Sequence, residues 1–132
     1  MVAAVRAALA ERGHPVADDP ARITRAILDS LAARYADVVD TVERLTGAAI
    51  PGIHIVGGGS LNAYLNQATA NAARRTVKAG PVEAAVLGNL LMQSMTARSV
   101  GSIEEGRAII ARASRIRRFE PSADPVGARD RR

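Results

Sequence analysis

Apolar side chains recur every three or four residues along most of the chain, which is the spacing that places them on one face of a helix. The longest run begins at Asp19-Pro20, an acidic N-cap followed by proline at the first helical position, and ends at Gly47. It predicts a helix of about 26 residues, roughly 39 Å long at 1.5 Å per residue. A stripe of this length is more than the rest of a small chain can easily cover. Its apolar positions are Ile23, Ile27, Leu28, Leu31, Tyr35, Val38, Val39, Val42 and Leu45.

The same spacing predicts four shorter helices. Gly13 closes the first of them, and residues 14–18 connect it to the long helix. Ser60 is a good N-cap for the second, and Ser102 opens the last. The four predicted helices are Met1 to Arg12, Ser60 to about Ala73, about Val82 to Arg98, and Ser102 to about Arg115.

Two short apolar segments predict strands. Ile53 to Val56 is the clearer one and Arg75 to Ala79 the weaker, and a helix lies between them. This order predicts an α/β fold that is mostly helical with one right-handed parallel βαβ unit. Because two parallel strands do not make a stable sheet, we expect its other strands on a partner chain or on chain that is absent. From Pro121 onward the composition predicts a disordered basic tail, residues 121–132.

Composition narrows the classes of protein. The chain has 132 residues, enough for one domain, with aromatic residues at 2% and no cysteine. The lack of cysteine excludes a disulfide scaffold, a thiolate metal site and a cysteine nucleophile. No apolar run approaches the roughly 20 residues of a bilayer span, and the first residues do not form a signal peptide. We therefore expect a cytoplasmic protein without membrane contact.

The net charge of +5 is concentrated near the end of the chain. Nucleic-acid binding requires a basic face interleaved with stacking aromatic residues or a recognisable reading motif. Phe119 is the one aromatic residue among the arginines of residues 101–132. A solvated helix face followed by a frayed tail is the better interpretation, and we expect no nucleic-acid partner.

One motif carries chemistry. A strand that ends in Gly57-Gly58-Gly59-Ser60 and leads directly into a helix is the arrangement that cradles a phosphate. It is not a Walker loop, since the Gly-Lys-Ser/Thr ending is missing, and Asn62 stands where the dinucleotide fingerprint has its third glycine. A tight strand-to-helix turn with no ligand is an equally good interpretation of the glycines alone.

Catalytic side chains are not visible in the sequence. His54 is expected to be a pleat residue facing a helix, and His14 has no partner at metal-ligand spacing. No aspartate lies at the end of a strand, where a sheet enzyme would place a general base or a Mg²⁺ ligand. The residues by themselves predict an anion-binding loop without catalytic or metal-binding residues.

The motifs together resemble the C-terminal lobe of the FGGY-type carbohydrate kinases, from near Met1 to about residue 120. Within that family the likeness is greatest to the rhamnulokinase branch. The segments that carry it are IHIVGGGSLN at 53–62, LNQ at 65–67, AGPVEA at 79–84 and LGN at 87–89, with GHPV at 13–16, ILDSLA at 27–32 and Tyr35 upstream.

The resemblance implies a fragment of an actin-like, ribonuclease H-like ATPase lobe. Such kinases have two lobes and transfer the γ-phosphate of ATP, as its Mg²⁺ complex, to a hydroxyl of a sugar, here a ketose such as rhamnulose. Carried over to this chain, the resemblance places Gly57, Gly58 and Gly59 against the nucleotide and Asn62 near its adenine side. It gives the Gly80 to Glu83 turn and the helix at Leu87 to Asn89 structural roles.

The chain also departs from the family. The family's N-terminal lobe, sugar site and catalytic aspartate lie upstream of what Met1 corresponds to, and the metal site is not in this chain. Where the family usually has glycine and proline before the second strand, this chain has Arg74 and Thr76. It has Asn71 in place of an aspartate and Ala85-Val86 in place of Thr-Ala. The sugar could bind only if an N-terminal lobe were supplied.

Two interpretations of function follow. In one, the chain is the portion of a sugar kinase that binds ATP or ADP, inactive by itself because phosphoryl transfer needs groups from both lobes. In the other, it is a non-catalytic interaction module, whose sheet edge and helix stripe pair with another chain.

Overall fold

Helices dominate the structure, which is a computed structural model that describes residues 2–11, 13 and 19–122. The connector at 14–18 and residues 123–132 of the predicted tail lie outside the described residues. A 3₁₀ helix, Gly58–Leu61, follows the first strand. The elements are α1 (Val2–Glu11), α2 (Pro20–Thr46), β1 (Gly52–Ile55), α3 (Ala63–Ala73), β2 (Thr76–Ala79), α4 (Ala84–Thr96), α5 (Ile103–Ala113) and β3 (Arg117–Phe119).

The long helix α2 has the ends that its sequence predicts. A carboxylate oxygen of Asp19 accepts a hydrogen bond from the backbone N–H of Ala21 at 2.9 Å, and Pro20 begins the helix. At the other end the N–H of Gly47 donates to the carbonyl of Glu43. The predicted helix is thereby confirmed, with 27 residues.

The strands of the predicted βαβ unit pair in parallel. Ile53 lies opposite Val77 and Ile55 opposite Ala79, while α3 makes the connection between β1 and β2. Side chains alternate between the two faces of a strand. Val77 and Ala79 are 0% and 2% exposed, so this face of β2 is the one covered by α3.

The sheet has a third strand that the sequence analysis did not predict. We expected a helix to about Arg115 and the missing strands elsewhere, but α5 ends at Ala113 and β3 pairs antiparallel with β2. Phe119 lies opposite Val77 in this pairing. Three residues, two of them arginine, are too few to show the alternation that marks a strand, so only the pairing reveals it. Among the described residues, β1 keeps one edge without a neighbouring strand.

The core is small and rich in alanine. Ala32 of α2 packs with Leu65 and Ala68 of α3, and half-buried Leu28 and Tyr64 close the cluster. The short helix α3 therefore packs against part of α2, and α3 lies between α2 and the sheet. Because alanine buries little apolar area, this core offers less stabilisation than one built from larger side chains.

Part of the α2 stripe remains uncovered. The side chains of α1 approach Ile27 and Leu31 across a shallow groove that also contains Val5 and Leu9. Beyond that groove four apolar residues of α2 are exposed to solvent, while Val39 is half-buried. We call this surface the open stripe: Tyr35, Val38, Val42 and Leu45, which are 38%, 50%, 40% and 79% exposed.

Arg74, the residue that ends α3, has φ +51° and ψ +38°. This left-handed conformation costs a residue with a side chain about 1–2 kcal/mol, whereas glycine adopts it freely. We expect Arg74→Gly to raise the free energy of unfolding by about 0.5–1 kcal/mol in urea titrations, since glycine relieves the strain but loses more backbone entropy. Arg74→Ala is the control, because it removes the charge and keeps Cβ. Equal stability of the two variants would contradict the prediction.

Candidate functional site

Two turns meet at the carboxyl end of the parallel strand pair. β1 leads through Val56 into Gly57, and β2 leads into Gly80-Pro81. The N–H of Gly80 donates to the carbonyl of Ile55 at 2.8 Å, and the N–H of Gly57 donates to the carbonyl of Pro81 at 3.1 Å. The two turns are therefore held together as one unit.

Glycine is required at two positions by the chain itself. Gly57 has φ +74° and ψ −162°, a conformation that residues with a side chain rarely adopt. Gly80 has φ +118°, and a Cβ there would lie 2.9 Å from the carbonyl oxygen of Arg115. The chain that links α5 to β3 passes directly over Gly80. These two glycines need no ligand to explain them.

The other two glycines are different. A Cβ at Gly58 would have no heavy atom within 4 Å, and a Cβ at Gly59 would make an ordinary 3.7 Å contact with Ile55. Neither residue has a positive φ. The backbone at Gly58 is thus open to close approach from outside, and no described residue explains why a side chain is absent there.

Ser60 does not have the role that the sequence predicts. It was expected to cap α3, but it lies inside the 3₁₀ helix and is only 4% exposed. Its hydroxyl donates to the carbonyl of Gly57 at 2.6 Å. The N-cap of α3 is Asn62, whose side-chain oxygen accepts from the N–H of Leu65 at 3.0 Å. The glycines let the chain make one extra tight turn, so the helix starts later than predicted.

A buried asparagine that the sequence analysis did not single out supports this turn. Asn66 is 0% exposed, and its side-chain N–H donates to the carbonyl of Ser60 at 2.9 Å. Its side-chain oxygen has no hydrogen-bond partner among the described residues. A polar residue next to Leu65 on the inner face of an amphipathic helix is the signal that could have pointed to it.

His54 also contacts the site. Its Nε2 lies 2.7 Å from the carbonyl oxygen of Gly80, so the tautomer with a proton on Nε2 donates to the second turn. Its partner across the strand pair is Lys78, on the face opposite to Val77 and Ala79. His54 is exposed and holds the turn through its ring nitrogen, whereas we expected it to pack against a helix.

Glu43 has a perturbed pKa, but it lies at the other end of the strands. The N–H of Ile50, which precedes β1, donates to its carboxylate at 2.6 Å, and Arg75, which precedes β2, pairs with it at 2.6 Å. These two contacts, the backbone N–H first, hold the pKa of Glu43 below its ordinary value. The pair links the end of α2 to the start of the sheet, which is a structural role.

Two further groups have shifted pKa values. Burial raises the pKa of Tyr64, and the hydrogen bond from its hydroxyl to Asp29 adds to the effect. The hydroxyl of Thr76 and the side chain of Arg118 lower the pKa of Glu120. Neither group belongs to the Gly57–Asn62 turn. The Gly57–Asn62 turn is therefore built from backbone, hydroxyl and carboxamide groups, which can position a ligand.

The described residues contain neither a metal-binding cluster nor a membrane-spanning helix. Within residues 2–11, 13 and 19–122, no three side chains of His, Cys, Asp or Glu lie close enough together to hold a metal ion. None of the helices in those ranges combines the length and apolarity that a bilayer span requires.

Comparison with known proteins places this geometry in context. Residues 2–97 match the model of the FGGY family of carbohydrate kinases, C-terminal domain. The chain is 40% identical over 129 residues to a rhamnulokinase of Klebsiella pneumoniae (strain 342). That alignment covers 98% of this chain and 26% of the relative, so the chain spans about a quarter of the length of the protein it matches.

Proposed function

This chain belongs to the FGGY family of carbohydrate kinases, and from that premise we propose that it is the nucleotide-side portion of an ATP-dependent sugar kinase resembling rhamnulokinase. In this proposal Gly57, Gly58 and Gly59 lie against the bound nucleotide, with Asn62 beside them. The reaction of the complete kinase would be phosphoryl transfer from ATP to a ketose such as rhamnulose. The isolated chain binds ATP or ADP and does not turn it over.

The observation that carries the proposal is the open space at Gly58. A Cβ there would contact no described atom, yet the residue is glycine at the carboxyl end of a parallel strand pair. In open α/β sheets that end is where ligands bind. The side-chain amide nitrogen of Asn62 makes no hydrogen bond with the described residues and can donate to a ligand, while its oxygen caps α3.

ATP would bring the transferable phosphoryl group and its Mg²⁺. The described residues fit the nucleotide through the open backbone at Gly58. They offer no carboxylate cluster for the metal, so the proposal assigns the metal and the general base to no residue of this part of the chain. Phosphoryl transfer relies on positioning and electrostatics from both sides of a cleft, and we therefore expect no sugar-dependent ATP turnover from the isolated chain.

Gly58→Ala is expected to weaken nucleotide binding while leaving stability almost unchanged. The added methyl group meets no atom of the chain but occupies the surface that the ligand approaches. We expect the Kd for ADP to rise about fivefold to tenfold, the equivalent of losing roughly 1–1.4 kcal/mol. Gly58→Trp should abolish binding. Isothermal titration calorimetry with ADP measures the affinity, and urea unfolding measures the stability.

Gly88→Ala is the matched control, because a Cβ at Gly88 within α4 also meets nothing within 4 Å. It should retain the ADP affinity of the unmodified chain. An unmodified chain that shows no ADP binding at millimolar nucleotide would contradict the proposed function. Equal ADP affinity of the Gly58→Trp variant and the unmodified chain would contradict the assignment of Gly58.

A second candidate function is favoured by the open stripe. Four neighbouring apolar side chains of α2 are between 38% and 79% exposed, and the free edge of β1 offers unpaired backbone groups. Such surfaces mark interaction sites. In this alternative the chain is a non-catalytic module that pairs with a chain carrying the rest of a kinase of this family.

Substitutions within the open stripe separate the two functions. Val38→Asp with Val42→Asp places two negative charges on the stripe, whereas Ala33→Asp places one such charge elsewhere on the exposed surface of α2. The candidate partner is the part of the Klebsiella pneumoniae relative that this chain does not match, expressed separately. If the module function is right, the double variant loses co-purification with it and Ala33→Asp does not. No co-purification by the unmodified chain would contradict the module.

A further inference from the structure

The carbonyl of Gly57 points into the protein, and this determines the orientation of the next N–H. It accepts hydrogen bonds from both the backbone N–H of Ser60, at 3.0 Å, and the hydroxyl of Ser60, at 2.6 Å. In a trans peptide the C=O and the following N–H lie in one plane and point in opposite directions. The N–H of Gly58 therefore points away from Ser60, on the side opposite to the carbonyl that Ser60 holds.

Ser60 is itself held in place by burial and by a hydrogen bond to a neighbouring side chain. It is 4% exposed, and its own carbonyl accepts a hydrogen bond from the side chain of Asn66, which is fully buried. On the other side, the N–H of Gly57 is held by the carbonyl of Pro81. The backbone is therefore hydrogen-bonded on both sides of the Gly57–Gly58 peptide bond. Within the described residues, the hydroxyl of Ser60 is the only side-chain group that donates to this peptide.

We propose that Ser60 is a positioning residue: its buried hydroxyl holds the Gly57–Gly58 peptide so that the N–H of Gly58 is presented to the bound nucleotide. The proposal rests on the proposed function and deepens it, because it names how the turn is prepared before the ligand arrives. A preoriented donor avoids part of the ordering cost of binding. The hydroxyl acts through the peptide and does not itself contact the nucleotide.

Ser60→Ala removes the hydroxyl donor and keeps the backbone hydrogen bond. In the nucleotide-free chain we expect the N–H dipolar coupling of Gly58, measured by NMR, to fall toward that of a mobile amide. We also expect the affinity for ADP to drop about threefold to tenfold. Ser60→Cys, which keeps a donor at this position but a larger and weaker one, should restore part of both. Thr69→Val is the control, since the buried hydroxyl of Thr69 has no described partner and its removal should change neither.

The dipolar coupling and the ADP affinity together distinguish the positioning role of Ser60 from the proposed nucleotide function. The dipolar coupling is measured without nucleotide, so it tests the positioning role even if the chain binds no ADP. If Ser60→Ala loses the Gly58 dipolar coupling while the unmodified chain binds no ADP, the positioning role is upheld and the nucleotide function is overturned. An unchanged coupling in Ser60→Ala, or a loss of stability with unchanged coupling and affinity, would overturn the positioning role.

Discussion

Replacement of Gly80 by alanine is expected to lower the free energy of unfolding by about 2–4 kcal/mol, as both backbone strain and a steric clash are introduced. Gly80 has φ +118°, and a Cβ would stand 2.9 Å from the backbone oxygen of Arg115. A backbone atom cannot move aside as the end of a flexible side chain can. The residue also joins the turns, since its N–H donates to Ile55 and its carbonyl accepts from His54.

Urea unfolding followed by circular dichroism measures this effect. Gly88→Ala again supplies the contrast: it adds the same methyl group inside a helix without contact, and should stabilise by up to about 1 kcal/mol through helix propensity. We also expect Gly80→Ala to shift the amide resonances of Gly57, whose N–H is bonded to Pro81. A loss of stability below about 0.5 kcal/mol would show that the connection from α5 to β3 does not lie over Gly80.

The second large effect is expected at Gly106, in the packing of α4 against α5. A Cβ there would lie 1.9 Å from one terminal carbon of Leu91 and 2.9 Å from its Cγ. The leucine must change rotamer or the helices must separate, so Gly106→Ala should destabilise by about 1–3 kcal/mol. Helix propensity would favour the substitution by up to about 1 kcal/mol, and the clash outweighs it.

Most of that loss of stability should be confined to α4 and α5 and should not extend to the whole chain. The main contacts of each of these helices are with the other, whereas α2, α3 and the sheet contact one another. Hydrogen exchange should therefore accelerate in residues 84–113 and change little in α3. Because Leu91→Ala removes the obstacle, the double variant should be more stable than the sum of the two single changes predicts. Additive effects would contradict the close packing of Gly106 on Leu91.

Local sequence was sufficient for the long helix and for the βαβ unit. Asp19-Pro20 and Gly47 end α2 through interactions within a few residues, and the apolar repeat between them depends only on the 3.6-residue turn. The two strands and the helix between them were likewise predicted by short-range patterns. The resemblance to the FGGY family, carried by the glycine turn and the AGPVEA segment, agrees with the family match over residues 2–97.

Local sequence did not predict β3 or the role of Ser60. β3 exists because Arg117 to Phe119 meet β2, a partner about forty residues away in sequence, and nothing within the three residues requires a strand. Ser60 is a favourable N-cap by type, but the glycines before it allow a 3₁₀ turn that takes its hydroxyl inward. Asn62 caps the helix in its place.

The glycines after β1 and β2 show most clearly what local sequence predicts and what the tertiary structure decides. The order of residues predicts a glycine turn between β1 and α3, which can either cradle a phosphate or make a tight turn without a ligand. Which of these glycines the fold itself requires, and which lies in open space, was decided by the tertiary structure. Gly57 and Gly80 are explained by φ and by a neighbouring backbone, whereas Gly58 is explained by neither. Contacts between residues distant in sequence, such as Arg115 over Gly80, cannot be derived from local pattern, since they depend on where the folded elements bring the backbone.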